Sequence, residues 1–218
     1  MPKAAATHEG LRHALVEAGR QMSACGLSHG SSGNLSVRLT EGFLITPSGI
    51  AYDVIEPQMM VAMDKEGAWQ GAWAPSSEWR LHADIYREKP EAQAIVHCHS
   101  PHATAFSTLR QDIPAFHYMV AIAGGSTLRC APYATFGTQA LSDAMMAALD
   151  NRKACLLANH GMICFERNLE RALWLAGEIE MLARQYILAR QVGTPVILDD
   201  EEMVRVAERF KNYGKQAG

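Results

Sequence analysis

In the stretch AIVHCHS, Ala94 to Ser100, two histidines stand one residue apart behind three apolar positions. On a buried strand the side chains alternate between faces, so His97 and His99 point to one side and Cys98 to the other. Two imidazoles then sit together at a strand end. Three roles suit such a pair: structural histidines held by hydrogen bonds, half of a metal site, or an acid/base pair. Further ligands decide among them. A third histidine, His160, lies in LLANHGMI between Asn159 and Gly161 at the end of another apolar run; alone it reads as a turn residue. Glu78, in PSSEWRLH, alone reads as a first-turn glutamate that complements a helix dipole. Together, three imidazoles and one carboxylate match a tetrahedral zinc set. A carboxylate able to leave the metal also becomes a general base beside a Lewis acid.

Three small-residue pairs carry a second kind of chemistry: Gly33-Asn34, Ser48-Gly49 and Ser76-Ser77. Their default reading is turn chemistry or a helix cap. Ser76 and Ser77, however, stand where a helix begins and offer backbone N–H groups, hydroxyls and the positive dipole end, while the glycines allow close backbone approach. That combination suits a phosphate. Neither a Walker A nor a GxGxxG motif is present, so the phosphate is expected on a small molecule other than a nucleotide.

The elements that must position these residues follow from periodicity. Leu11, Leu15, Ala18 and Met22 recur at helical spacing, with Thr7 as a cap and Gly26 as a stop. The glycine- and serine-rich GLSHGSSGN then gives way to alternating Leu35, Val37 and Leu39, a Glu41-Gly42 turn and FLIT, which is a hairpin. TPSG is a turn, MMVAMD (59–64) a strand, and PSSEWRLHADIYREKP a helix capped by Ser76 or Ser77 with Glu78 in its first turn. A helix is expected from about 138 to 149, strands at ACLLA and MICF on either side of His160, and helices from about 169 to 191 and 201 to 212. The order lacks a regular βαβ rhythm, so a largely antiparallel sheet covered by helices is predicted, as one domain over 1–218.

Composition narrows the function. With 218 residues, 48% of them hydrophobic, and a net charge of −3 without a Lys/Arg block, the chain can bury a large core and lacks the electrostatic footprint of a nucleic-acid binder. No apolar run approaches the roughly 18 residues of a membrane span, and MPKAAATHEG has no apolar signal core, so a cytoplasmic protein is expected. The five cysteines form no CxxC and mostly lie in apolar runs, which predicts reduced packing residues and leaves any metal to His and carboxylate ligands.

The segments SSGNLSVR, LITPSGI, PSSEWRLH, VHCHSPHATAFS, IPAFHYMVAIAGG, CAPYATFGT, NHGMI, NLERALWLA and FKNYG resemble the class II aldolase/adducin family. The likeness runs nearly end to end and is most specific from Pro75 to Gly137. It implies a three-layer α/β/α subunit with a central, mainly antiparallel sheet, assembled as a homotetramer with active sites between subunits. It also implies a zinc ion on Glu78, His97, His99 and His160, a set in which manganese, cobalt or iron also fits. Substrate phosphate is implied on Gly33, Asn34, Ser48, Gly49, Ser76 and Ser77. Tyr118 is implied as a proton donor lent by the adjacent subunit, and Phe136, Phe210 and Tyr213 as the aldehyde end or its cover. Ser48 stands where the resembling enzymes have the threonine of a TPTG turn, which keeps the hydroxyl, and between about 190 and 199 the likeness loosens.

The implied reaction is reversible cleavage of a ketose 1-phosphate of the L-fuculose 1-phosphate type into dihydroxyacetone phosphate and lactaldehyde. Glu78 would move the C3 proton and Tyr118 the proton on the C4 oxygen. The alternatives are the same chemistry on 5-methylthioribulose or 5-deoxyribulose 1-phosphate, in methylthio-sugar salvage of the methionine pathway, and an epimerase, decarboxylase or dehydratase of the same fold. Related epimerases carry aspartate where Glu78 stands. His82 and His102 lie close to the ligand set in sequence and are read as structural.

Overall fold

A computed structural model of the chain describes residues 8–212, with side chains described through residue 210. Seven strands form one sheet: β1 (Asn34–Leu39), β2 (Gly42–Ile45), β3 (Val61–Met63), β4 (Ala94–Cys98), β5 (Cys130–Ala131), β6 (Ala154–Leu157) and β7 (Gly161–Glu166). Their spatial order is β3-β2-β1-β4-β7-β6-β5, and every pair is antiparallel except β5 with β6. Six helices cover it: α1 (Glu9–Ala24), α2 (Trp79–Glu88), α3 (Pro101–Ser107), α4 (Gln139–Ala148), α5 (Leu169–Val192) and α6 (Asp200–Asn212).

The central strands are buried on both faces, and their alternation sorts residues into two cores. Leu35 and Val37 of β1, Val96 and Cys98 of β4, and Met162 and Cys164 of β7 pack with Leu15 of α1, Phe106 of α3 and Ala176 of α5. Ile95, Ile163 and Phe165 face the other way and pack with Leu81 and Ile85 of α2 and Leu141 and Met145 of α4. The result is the expected three-layer α/β/α sandwich. Asn34, Ser36 and His97 fall on the α2 side of this alternation and are buried with it.

Several local expectations change. The strand expected over 59–64 is confined to Val61–Met63, because Pro57 opens a 3-10 turn over Pro57–Met59 instead. Glu78 is the residue just before α2, and the hydroxyl of Ser76 accepts its backbone N–H at 3.3 Å. Helix α3, the 3-10 turn Tyr118–Ala123 and the two-residue strand β5 are too short to show a period. The expected Thr7 cap lies outside the described residues. All five cysteines are free thiols, and among the described residues no helix is long and apolar enough to cross a membrane.

Candidate active site

Four elements converge at one end of the sheet. His97 sits opposite Asn34 in the β1–β4 register, and His99 follows just past the end of β4. His160 occupies the tight turn between β6 and β7, where Asn159 takes φ 53°, a left-handed conformation that asparagine tolerates. Gly161 completes the turn against β4: a Cβ there would lie 2.5 Å from the carbonyl oxygen of Cys98 and 3.0 Å from Cδ2 of His99. Neither Ser76 nor Ser77 caps α2 with its side chain as expected: Glu78 itself is the N-cap residue, and its carboxylate makes no cap hydrogen bond and turns toward the histidines. Its Oε2 lies 3.0 Å from Nε2 of His97 and its Oε1 3.2 Å from Nε2 of His160.

The donor set fits a cation. One ligand atom from each of Glu78, His97, His99 and His160 lies within 4.8 Å of all the others, and the three ring centroids form a nearly equilateral triangle of 4.8, 4.9 and 4.9 Å. Nδ1 of His97 donates to the carbonyl of Met162 at 2.8 Å, which leaves Nε2 of the neutral ring with a lone pair aimed at Nε2 of His99, 3.1 Å away. Buried Oε1 of Glu78 accepts no hydrogen bond. Metal–ligand bonds of about 2.05 Å would give a tetrahedron with edges of about 3.3 Å, close to the 3.0, 3.2 and 3.1 Å of the Glu78–His97, Glu78–His160 and His97–His99 pairs.

Electrostatics agree with that use. Burial, and then the positive charge of His97, push His99 and His160 down to about 4, so both rings are neutral and able to ligate at physiological pH. Before a cation binds, burial opposes charge on His97 but the Glu78 carboxylate outweighs it and raises His97, so a cation must displace any proton on Nε2 to reach the lone pair of the neutral ring. Burial by itself raises Glu78; the charges of His97 and His160 and the Asn34 amide reverse this and hold it well below the usual carboxylate range.

Beside the quartet opens a cleft of about 340 Å³ whose lining includes Gly33, Asn34, Ser48, Gly49, Ser76, Ser77, Phe136, His99 and His160. The two serine turns are joined edge to edge: the N–H of Ser48 donates to Ala74 O at 3.0 Å and that of Ser76 to Thr46 O at 3.1 Å. These two cleft-lining residues therefore have their backbone donors already used. The side chain of Asn34 is also engaged, donating from Nδ2 to Glu78 Oε2 at 3.2 Å and accepting at Oδ1 from His82 Nε2 at 2.5 Å.

Residues 13–187 match the family described as Class II Aldolase and Adducin N-terminal domain. The chain belongs to that family. Its relatives include a 5-methylthioribulose-1-phosphate/5-deoxyribulose-1-phosphate aldolase of Rhodospirillum rubrum, 52% identical over 207 residues, spanning 95% of this chain and 94% of the relative. An L-fuculose phosphate aldolase of Escherichia coli K12 is 48% identical over 205 residues, 94% and 95% of the two chains. A solved L-fuculose 1-phosphate aldolase superimposes with a TM-score of 0.90 at 40% identity, covering 93% of this chain and 96% of that one. The chain is thus a class II aldolase, a lyase of a metal-dependent class, and its Glu/His quartet is a group able to hold the ion.

As a class II aldolase, the chain does not place every expected residue in its own cleft. Tyr118 and Phe210 do not line it; Tyr118 is 49% exposed at the start of its 3-10 turn, and its ring stacks on His117 at 4.7 Å and on Phe210 at 6.2 Å. Tyr213 lies outside the described residues. Phe136 is in the cleft wall, 65% exposed, and its loop is docked through Gly137 O, which accepts from Arg80 at 3.1 Å. Ser31, Ser32, Tyr133 and Asn159 also line the cleft. None of these reads as a site residue in sequence: the serines stand in the glycine-rich loop, Asn159 in the turn at His160 and Tyr133 within CAPYATFGT.

Proposed function

We propose that this enzyme is a zinc aldolase that reversibly cleaves a ketose 1-phosphate into dihydroxyacetone phosphate and a small aldehyde. The observation that carries the reading is the position of the Glu78 carboxylate, shared between His97 and His160 at the mouth of a serine-lined cleft. A divalent cation held by Glu78, His97, His99 and His160 supplies Lewis-acid stabilisation for negative charge developing on substrate oxygens. Glu78 then acts as base, taking the C3 proton in the condensation direction and returning it after cleavage. The hydroxyls of Ser48, Ser76 and Ser77, with the backbone at Gly33 and Gly49, hold the phosphate at the start of α2. Tyr118, exposed and stacked with Phe210, reaches the C4 oxygen of substrate in a neighbouring subunit of a homotetramer and carries its proton.

Phe136 gives the aldehyde end an apolar wall. It receives the methyl end of lactaldehyde from L-fuculose 1-phosphate, the first reading. The 52% identity to the Rhodospirillum rubrum enzyme favours a second reading at the same site, 5-methylthioribulose or 5-deoxyribulose 1-phosphate, since an apolar pocket separates small apolar groups by only about 1–3 kcal/mol. The test is release of dihydroxyacetone phosphate from each of these three substrates, with and without a chelator. Chelator-sensitive release is expected, and the ratio of kcat/KM values assigns the aldehyde. Borohydride trapping of a covalent adduct with substrate would refute the scheme, because it requires no Schiff base.

A further inference from the structure

Behind Glu78 lies a file of buried polar groups that ligand binding does not explain. Glu78, His82 and Tyr86 recur every four residues along one face of α2 and its entry, and Asn34 and Ser36, two apart on β1, face them across the interface. All five are buried, Ser36 and His82 completely. They are joined in sequence: Tyr86 Oη to Ser36 Oγ at 2.8 Å, Ser36 Oγ to His82 Nδ1 at 2.6 Å, His82 Nε2 to Asn34 Oδ1 at 2.5 Å, and Asn34 Nδ2 to Glu78 Oε2 at 3.2 Å.

The chemistry at one end fixes the direction of the whole file. A carboxylate accepts, so the Asn34 atom facing it is the amide nitrogen, and Oδ1 is turned to His82. Oδ1 also accepts, so Nε2 of His82 carries the ring proton. Nδ1 is then a lone pair, Ser36 donates its only proton to it, and the serine oxygen is left to accept from the phenol of Tyr86. Burial keeps both ends of this assignment in place: it pushes His82 down to about 3, so the ring is neutral, and raises Tyr86, so the phenol keeps its proton.

We propose that Tyr86, Ser36, His82 and Asn34 form a directed hydrogen-bond chain, every proton pointing toward Glu78, that positions the carboxylate for proton transfer. The chain engages Oε2. Oε1, which accepts no hydrogen bond, is the oxygen left for the reacting proton. His82, Ser36 and Tyr86 are positioning residues that act through Asn34, and the inference rests on the aldolase reading of the site.

The test uses the zinc-loaded protein and four variants. The readouts are cleavage of ketose 1-phosphate, exchange of the C3 proton of dihydroxyacetone phosphate with deuterium in the solvent, and the tautomer of His82 by 15N NMR of the wild type. Ser36→Ala and His82→Leu are expected to lower kcat for both reactions about 10- to 100-fold, the usual scale for partners behind a ligating group, with KM changed less than about twofold. Tyr86→Phe, at the far end, is expected to lose less than Ser36→Ala. His82→Gln, whose amide keeps a donor near Nε2, is expected to recover most of the rate. The wild-type ring is expected as the Nε2–H tautomer, a readout that survives if His82→Leu fails to fold. An Nδ1–H tautomer, or a folded Ser36→Ala with unchanged kcat, would overturn the chain. A wild type that neither exchanges nor cleaves, yet shows the Nε2–H tautomer, supports the chain's direction and overturns the aldolase reading.

Discussion

Replacing Gly161 by alanine tests the site through space alone. The new methyl adds no charge or hydrogen bond, but its Cβ would stand 2.5 Å from the Cys98 carbonyl oxygen, where ordinary contact begins at 3.4 Å, a shortfall of 0.9 Å; it would also meet the His99 ring at 3.0 Å. Neither neighbour yields easily. Cys98 is fully buried and paired with Met162 in the β4–β7 ladder, and His99 must stay within reach of the other ligands. Overfilling a packed interior typically costs about 1–3 kcal/mol, and metal–ligand distances tolerate only about 0.2 Å, so sharing the shortfall between the strands displaces His99 or His160 beyond that tolerance. We expect Gly161→Ala to fold with a Tm several degrees lower and to bind zinc about 10- to 100-fold more weakly. Competition of the metal-free protein against a chromophoric chelator measures the affinity, with circular dichroism to establish the fold. An affinity within twofold of wild type at an unchanged Tm would show that the strand ends move freely and that Gly161 does not set the spacing of the quartet.

Gly10→Ala is the matching control, since Gly10 lies exposed in α1 with nothing within 4 Å of an added Cβ; it is expected to stabilise by about 0.5–1 kcal/mol in a denaturant titration, and a loss would contradict the open surroundings. Glu78→Gln keeps the shape of the side chain and removes the base, so dihydroxyacetone phosphate release is expected to fall by at least about 100-fold; a variant retaining half the wild-type rate would remove Glu78 from that role. For His82, the folded value of about 3 lies below the ordinary 6.5, because burial and the nearby charge of His97 outweigh the favourable charge of Glu78. Between these two pH values the unfolded chain binds the extra proton, so this residue makes stability rise with pH, and fall on acidification, by up to about 1.4 kcal/mol per pH unit. Denaturant midpoints of wild type and His82→Gln measured from pH 7 to 4 should therefore converge as pH falls, and parallel profiles would refute a buried, neutral His82.

Much of this was readable from residues alone, for identifiable reasons. The apolar run before His97 reads as a buried strand, and on a strand a period of two gives His97 and His99 a common face. α4, α5 and the β1–β2 hairpin likewise extend over enough residues for a period to emerge. Where a segment is too short, as in α3 and β5, or where proline redirects the backbone, as at Pro57, no period exists to be read. Asn34 shows a different limit. A Gly-Asn pair reads as turn chemistry, and the resemblance points to phosphate, but only the register that sets Asn34 beside His97 and opposite His82 reveals its amide on Glu78. Tyr118, exposed and stacked on the half-buried Phe210, marks another boundary, because a surface residue's partner is not encoded in its own local pattern.

The polar residues of the site can nevertheless be located by what they interrupt. β1 and β4 are buried on both faces, so a hydrophobic residue would suit every position on the α2 side, yet Asn34, Ser36 and His97 occupy three of them. Each such group, left alone, would lose about 1–3 kcal/mol to desolvation. Asn34 and Ser36 persist because His82 joins them in a line that ends on the Glu78 carboxylate, which His97 meets directly at 3.0 Å, and α2 contributes His82 and Tyr86 at the spacing that line requires. An apolar replacement at Ser36 would pack well and still leave His82 without a donor, which is why the break in the pattern extends over two elements. A local rule violated twice on facing elements, with each violation partnered by the other, distinguishes a site from an accident of packing. In this chain that rule points from Tyr86 along the interface of α2 and β1 to Glu78.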